Sequence, residues 1–291
     1  MRRALLASVL APLALMAPSA VAQQAQPPSA MMPEHHEDTA LQTALANPTR
    51  DDAAKARDAF RHPYEALTFW GLAPNTTVLE IEPGAGGWWL EILAPYAQAT
   101  GGRYIAAQGD LGAPEVSDRA RQSRAALQES LAAYPSASIV DFGPRAGIDA
   151  PDGSVDMILT ARMFHNWARQ EGRVDQYMAE FARVLKPGGV LAIEQHRSQD
   201  GRNVADTAST GYVPESWVIQ AAQKAGLTLD ARSEVNANPA DTKDHPFGVW
   251  TLPPVRNSEG DGRTLTAEER ARYDAIGESD RMTLRFRKPA A

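Results

Sequence analysis

Val78-Leu79-Glu80-Ile81-Glu82-Pro83-Gly84-Ala85-Gly86-Gly87 carries an apolar run to an acidic residue and then through a glycine-rich turn toward a helical pattern. Glycines in such a turn let backbone approach a ligand closely, and the helix that follows presents unpaired N–H groups at its start. A dinucleotide fingerprint would continue as G-x-G-x-x-G, but the position after Gly84 and Gly86 that calls for glycine holds Trp89. An indole there argues against close helix-to-strand contact, so a dinucleotide-dependent oxidoreductase is disfavoured.

Downstream of this turn, short β-branched runs alternate with longer helical ones. Residues 77–81, 103–107, 139–142, 155–160 and 190–194 read as the first five strands, with helices at 88–96, 117–133 and 172–185 between them. This alternation predicts an α/β, Rossmann-like doubly wound sheet, mostly parallel. The helix at 172–185 should stop at Lys186-Pro187-Gly188-Gly189. Residues 216–225 then read as a helix, 227–235 as a strand and 281–287 as a last strand, expected to run antiparallel. The insertion at 236–280 is too long for a turn, and an antiparallel last strand returns it to the ligand-bearing sheet edge, so it reads as a lid.

Upstream, residues 49–73 read as two helices, with Asp51 and Asp52 in a first turn and a restart at His62-Pro63. Residues 23–48 read as a flexible lead-in, in which His35 and His36 are expected to be solvated. At the start, Arg2-Arg3, an uncharged apolar run over 4–15 and Ala20-Val21-Ala22 give a signal peptide at 1–22, cleaved after Ala22. The run is shorter than the roughly 20 apolar residues of a spanning helix, and Pro12 and Pro18 interrupt it. A periplasmic or secreted protein with no stable membrane span is expected, and the arginine pair also fits, loosely, export of an already folded chain. The main domain then covers 49–291.

Composition narrows the chemistry. The chain of 291 residues has no cysteine, which excludes disulfides, thiolate metal sites and thiol catalysis. Its 29 basic and 36 acidic residues give −7, and loss of Arg2 and Arg3 with the leader makes the charge more negative still. A nucleic-acid partner is therefore disfavoured, and a small molecule is the expected one. No H-E-x-x-H spacing occurs among the 6 histidines, and no metal is expected, although His165, His196 and His245 could meet at one sheet edge.

Three ordered motifs together carry a resemblance. With the glycine turn, Pro151-Asp152-Gly153-Ser154-Val155-Asp156 before the fourth strand and Leu185-Lys186-Pro187-Gly188-Gly189 before the fifth, residues 50–288 resemble the class I S-adenosylmethionine-dependent methyltransferases. His62-Pro63, Glu91-Ile92-Leu93-Ala94-Pro95-Tyr96, Phe164-His165-Asn166-Trp167 and His245-Pro246-Phe247-Gly248 are similar to an exported bacterial subgroup of predicted methyltransferases. The resemblance implies S-adenosyl-L-methionine as cofactor, its amino-acid part held by Glu80, Gly84, Ala85, Gly86 and Gly87. Glu82 departs from the family, which usually begins its turn with glycine there. Gln108 stands where the family usually has an acid for the ribose hydroxyls; an amide oxygen still accepts, without charge assistance. Asp110 reads as a solvated loop acid in preference to a substitute for it. Asp141 is the candidate for the adenine edge, with Phe142 beside the ring.

Ligands of an open parallel sheet lie beyond the carboxyl ends of its strands, which selects Arg162, His165, Asn166, Glu194 and His196. His165 is the preferred general base and Asn166 the group that orients the acceptor; the competing reading is a packed cap of Phe164, His165 and Trp167. Arg162, Glu194 and His196, with His245 and Trp250 from the insertion, are candidate substrate contacts. Thr266-Ala267-Glu268-Glu269 is a capping box and explains a helix start without a function. The expected activity is methyl transfer to an unidentified small-molecule acceptor; the alternative is an exported binding protein that keeps the fold without the chemistry.

Overall fold

The structure, a computed structural model, describes residues 38–84 and 86–290. The expected signal peptide, the lead-in up to Glu37 with His35 and His36, and Ala85 lie outside the described residues.

One eight-stranded sheet organises the chain. Its principal strands are β1 Thr77–Ile81, β2 Arg103–Gly109, β3 Ala137–Gly143, β4 Val155–Ala161, β5 Leu185–His196, β6 Thr228–Ser233 and β7 Arg281–Arg287. From one edge the order is β3-β2-β1-β4-β5-β7-β6, with the two-residue strand Gly147–Ile148 outside β3. Strands β1 to β5 pair in parallel, and β7 runs antiparallel to both β5 and β6. The expected fold class is the observed one. Successive connections move outward in opposite directions from β1 and β4, which opens a crevice at the carboxyl ends of these neighbours.

Alternation along the strands explains why both faces are covered. Leu79, Ile81, Ile105 and Ile158 pack with Val174, Met178, Phe181 and Val218 of helices Arg173–Val184 and Glu215–Lys224. Val78, Tyr104, Met157 and Leu159 pack on the opposite face with Leu67, Trp70, Ile92 and Leu93 of helices Pro63–Trp70 and Leu90–Thr100. Strands buried on both sides need continuous apolar runs, as the sequence has. Helix Arg173–Val184 buries Val174, Tyr177, Met178, Phe181 and Val184, a 3.6-residue stripe, and ends where Leu185 becomes extended.

Three local features differ from expectation. Helix Thr39–Leu45 occupies part of the stretch read as a flexible lead-in, because Asp38 caps its start and Leu41 and Ala44 are buried in the core that contains Leu67, Trp70 and Leu93. The Lys186-Pro187-Gly188-Gly189 segment belongs to β5 instead of forming a free turn. Gly188 N–H donates to the Lys288 carbonyl and Lys288 N–H to the Gly189 carbonyl, both at 2.9 Å, so the chain beyond β7 holds it. The insertion at 236–280 contains strand Pro246–Val249, a two-stranded hairpin and helix Ala267–Ile276, whose start has both hydrogen bonds of the expected Thr266–Glu269 capping box.

Candidate functional site

A cavity of about 340 Å³ opens at the carboxyl ends of β1, β4 and β5. Its floor is Glu82, Pro83 and Gly84 after β1, with Ala161 at the end of β4 and Arg162, Met163, His165 and Asn166 after it. Trp250, Pro253, Pro254 and Val255 of the insertion close it from one side, and Arg57 and Glu278 from another. A larger cleft of about 430 Å³ is lined by residues of helices Arg173–Val184 and Glu215–Lys224 and of the segment before the first of them, and its charged and amide side chains are exposed, with no convergent set of buried polar groups.

Backbone geometry sets the floor. Glu82 and Arg162 are non-glycine residues with φ of 49° and 61°. Such conformations cost of order 1 kcal/mol and persist where neighbouring bonds impose them. Here Glu82 N–H donates to the Ala107 carbonyl at 2.8 Å and Arg162 N–H to the Glu194 carbonyl at 2.7 Å. Each strand therefore stays paired to its end and then turns sharply. Phe164 N–H donates to Gln195 Oε1 at 3.1 Å, which fixes the short helix Phe164–Trp167 that carries His165 and Asn166.

His165 is 6 % exposed, and its Nδ1 has no hydrogen-bond partner among the described residues. Its ring lies 5.9 Å from that of His196 and 5.8 Å from that of Trp250. Burial, reinforced by the charge of Arg162, lowers its pKa to about 4, so the imidazole is neutral near pH 7. Burial also holds His196 well below the usual histidine range, and its Nδ1 lies 2.6 Å from Ser279 Oγ. Arg162, His165, Asn166, His196 and Trp250 thus line one cavity.

The other sequence candidates fall elsewhere. His245 is outside this wall; its Nε2 is 2.7 Å from Asp241 Oδ1, and Asp241 also accepts from Tyr212 Oη and from Asp280 N–H. That network anchors the insertion, so only two of the three histidines meet. No group of three or more metal-ligating side chains occurs among the described residues. Glu194 is fully buried behind the wall in an ion pair with Arg281 at 2.7 Å. Glu80 is buried within the sheet, accepts from Tyr104 Oη at 2.7 Å and is pushed up to about 7 by burial.

At the glycine turn, Gly84 has a φ of 71°, and a Cβ at Gly84 or Gly86 would meet nothing within 4 Å; the space before the turn is open. A Cβ at Gly87 would press on Leu90. Trp88 does not fill the opening, since its indole donates to the Ala54 carbonyl at 2.9 Å and stacks under Arg61. Trp89, too, is core, packed against Trp70 and Trp88. Glu82 stands in the wall, where burial raises its pKa against a hydrogen bond from Trp167.

Gln108 and Asp141 are in register at the ends of β2 and β3. Gln108 Oε1 is buried with no partner among the described residues, whereas Asp141 is paired to Arg124 at 2.6 Å. Asp110 is not a free loop acid, because Arg145 pairs with it at 2.6 Å and Gly112 N–H donates to it. Phe142 is buried in the core with Leu79, Ile81 and Phe181, its ring 4.4 Å from that of Tyr177.

Sequence reading missed Arg57, Glu278 and Val255. Glu278 bonds Arg57 at 2.7 Å, Arg61 at 3.2 Å and Arg281 at 2.6 Å. These partners lie up to 221 residues apart, so no local pattern could join them.

Residues 84–193 match the family model described as a methyltransferase domain. No curated protein matches the chain by sequence. Among solved structures, similarity extends to a protein described as a sarcosine dimethylglycine methyltransferase from Galdieria sulphuraria, with 16% identity, 81% of this chain and 88% of that one covered, and a TM-score of 0.53. The [4+2]-cyclase SpnF is 15% identical over 86% of this chain and 92% of its own, with a TM-score of 0.52. A geranyl diphosphate C-methyltransferase from Streptomyces coelicolor A3(2), crystallised with Mg2+, geranyl diphosphate and S-adenosyl-L-homocysteine, is 14% identical over 84% and 87%, with a TM-score of 0.51. At these identities the likeness is one of fold.

Proposed function

We propose, for a chain whose residues 84–193 match a methyltransferase domain and whose sheet has the Rossmann-like methyltransferase arrangement, that it is a class I S-adenosylmethionine-dependent methyltransferase acting on a small-molecule acceptor. One observation carries this reading: an open glycine turn and a buried neutral imidazole face the same cavity of about 340 Å³. The alternative of a non-catalytic binding protein draws no support from the comparisons.

The residues present fit this cofactor. Gly84 and Gly86 leave open space into which an amino-acid moiety can come against backbone, and the unpartnered Gln108 oxygen can accept from a ribose hydroxyl. Bound there, S-adenosylmethionine supplies an electrophilic methyl group on a sulfonium. Asn166 offers an amide to orient the acceptor, and the Trp250 and Pro253–Pro254 side of the cavity limits entry of water. For an oxygen acceptor, His165 takes the proton at a ring nitrogen; a weak base suffices there because a hydroxyl oxygen gaining a methyl group becomes strongly acidic. Most of the rate then comes from holding the reactants in line, worth up to about 7–11 kcal/mol in favourable systems.

Calorimetric titration of the mature protein with S-adenosylhomocysteine tests the reading. Micromolar binding that is weakened at least about tenfold by Gly84→Val supports it. Absence of binding at millimolar ligand would remove it.

Export is proposed as well, on the sequence of residues 1–22 alone. Among the described residues no helix is long and apolar enough to cross a membrane. Mass spectrometry of the protein recovered from cell fractions should find Gln23 as the new N-terminus outside the cytoplasm; a full-length cytoplasmic chain would contradict it.

A further inference from the structure

Behind and beside the cavity sits a cluster of charges that the transfer chemistry does not require. Arg57 and Arg162 are in the wall, with Arg61 and Arg281 buried behind them. The opposing carboxylates are Glu278, which bonds Arg57, Arg61 and Arg281, and Glu194, which pairs with Arg281. Four guanidinium groups thus face two carboxylates, in a chain whose net charge is −7.

Several of these donors are unspent. Arg57 Nη2, both Arg61 Nη atoms and Arg162 Nε are buried with no hydrogen-bond partner among the described residues. The Trp88 ring, 4.6 Å from the Arg61 guanidinium, gives only a cation–π contact. Burial, followed by repulsion from Arg162, lowers the Arg61 pKa to about 9, and burial lowers that of Arg162 as well. A buried cation short of counter-charge is strongly destabilising unless a ligand completes it.

The cofactor of the proposed reaction does not complete it. S-adenosylmethionine has one carboxylate, but its ammonium and sulfonium leave it a net cation. Even with Glu80 and Glu82 ionised against their burial, the cluster plus cofactor keeps a positive surplus. We propose that the acceptor carries an anionic group, a carboxylate or a phosphate, held by Arg57 and Arg162 at the Glu278 side of the cavity. Guanidinium forks suit such planar or tetrahedral oxyanions. The inference rests on the methyltransferase reading and narrows its substrate class.

The test uses the mature protein saturated with S-adenosylhomocysteine, so that the carboxylate of the cofactor is already in place. Acetate, benzoate, phenyl phosphate and neutral benzamide are titrated by calorimetry. At least one anion should bind about tenfold or more tightly than benzamide. Arg162→Gln and Arg57→Gln should each abolish that preference while S-adenosylhomocysteine affinity changes less than about threefold, with thermal unfolding confirming that each variant is folded. No preference for any anion in wild type overturns the inference alone. Loss of S-adenosylhomocysteine binding in both variants, with anion preference kept, also overturns it, because the guanidiniums would then serve the cofactor. Wild-type protein that fails to bind S-adenosylhomocysteine refutes the methyltransferase reading and this inference with it.

Discussion

Replacing Glu278 by Gln should destabilise the folded chain by about 3 kcal/mol. Glu278 is 5 % exposed and is the junction of Arg57, Arg61 and Arg281. Burial alone would push its carboxyl up, but Arg61, Arg281 and Arg57 together outweigh it and hold the pKa at about 2, from an ordinary 4.5. At roughly 1.4 kcal/mol per unit, that depression corresponds to about 3 kcal/mol of differential stabilisation. Stripping one partner from a buried ion pair costs roughly 3–5 kcal/mol in other proteins, a separate route to the same magnitude. Because the folded pKa is depressed, the contribution is complete above the unfolded value near 4.5 and is lost as pH falls through about 2. Urea unfolding followed by tryptophan fluorescence at pH 7 should show the full difference between wild type and variant, and the gap should narrow as pH drops from 5 toward 3. A difference under about 1 kcal/mol at pH 7 would refute the role of Glu278 as the keystone of the cluster.

Further outcomes follow from the same geometry. His165→Gln should keep S-adenosylhomocysteine affinity within about threefold yet lower turnover on an identified acceptor by about a hundredfold or more; unchanged turnover removes His165 from the chemistry. With its folded pKa near 4 and an ordinary value of 6.5, His165 makes wild type lose stability as pH falls from 6.5 to 4, by up to about 3 kcal/mol, and His165→Gln should flatten that slope in urea titrations across the range. Trp70→Ala removes a fully buried indole that donates to the Leu284 carbonyl at 3.0 Å, and equilibrium unfolding should show a loss of about 3–5 kcal/mol. Gly248→Ala would place a Cβ 2.4 Å from the Thr210 carbonyl oxygen at a φ of 58°, so the insertion must shift and the fluorescence of neighbouring Trp250 should change.

The sheet was legible because its strands are β-branched runs bounded by glycine, proline and polar turns, and because both faces are buried. All seven principal strands fall within a few residues of their expected places. Part of the cavity lining was legible for a related reason: ligands of an open parallel sheet lie beyond the carboxyl ends of its strands, and the residues just past β4 and at the end of β5 that this rule selects include Arg162, His165, Asn166 and His196. What escaped depends on long-range partners. Arg61 in Asp58-Ala59-Phe60-Arg61 looks like the exposed end of a short helix, and its burial depends on Glu278, 217 residues away, together with the Trp88 ring. His245 and Glu194 looked like ligand contacts because of their type and position, yet Asp241 and Arg281 claim them. Phe142 was misplaced because a strand-end aromatic can face either side, and here Tyr177, Trp167 and Phe181 surround it.

A crystal structure of the mature protein with S-adenosylhomocysteine bound bears most directly on the central claim. The amino-acid end of the ligand should lie against Gly84 and Gly86, its ribose near Gln108, and its sulfur should point toward His165. A ligand seated in the cleft between helices Arg173–Val184 and Glu215–Lys224, or a cavity at Gly84 left empty at saturating ligand, would contradict it.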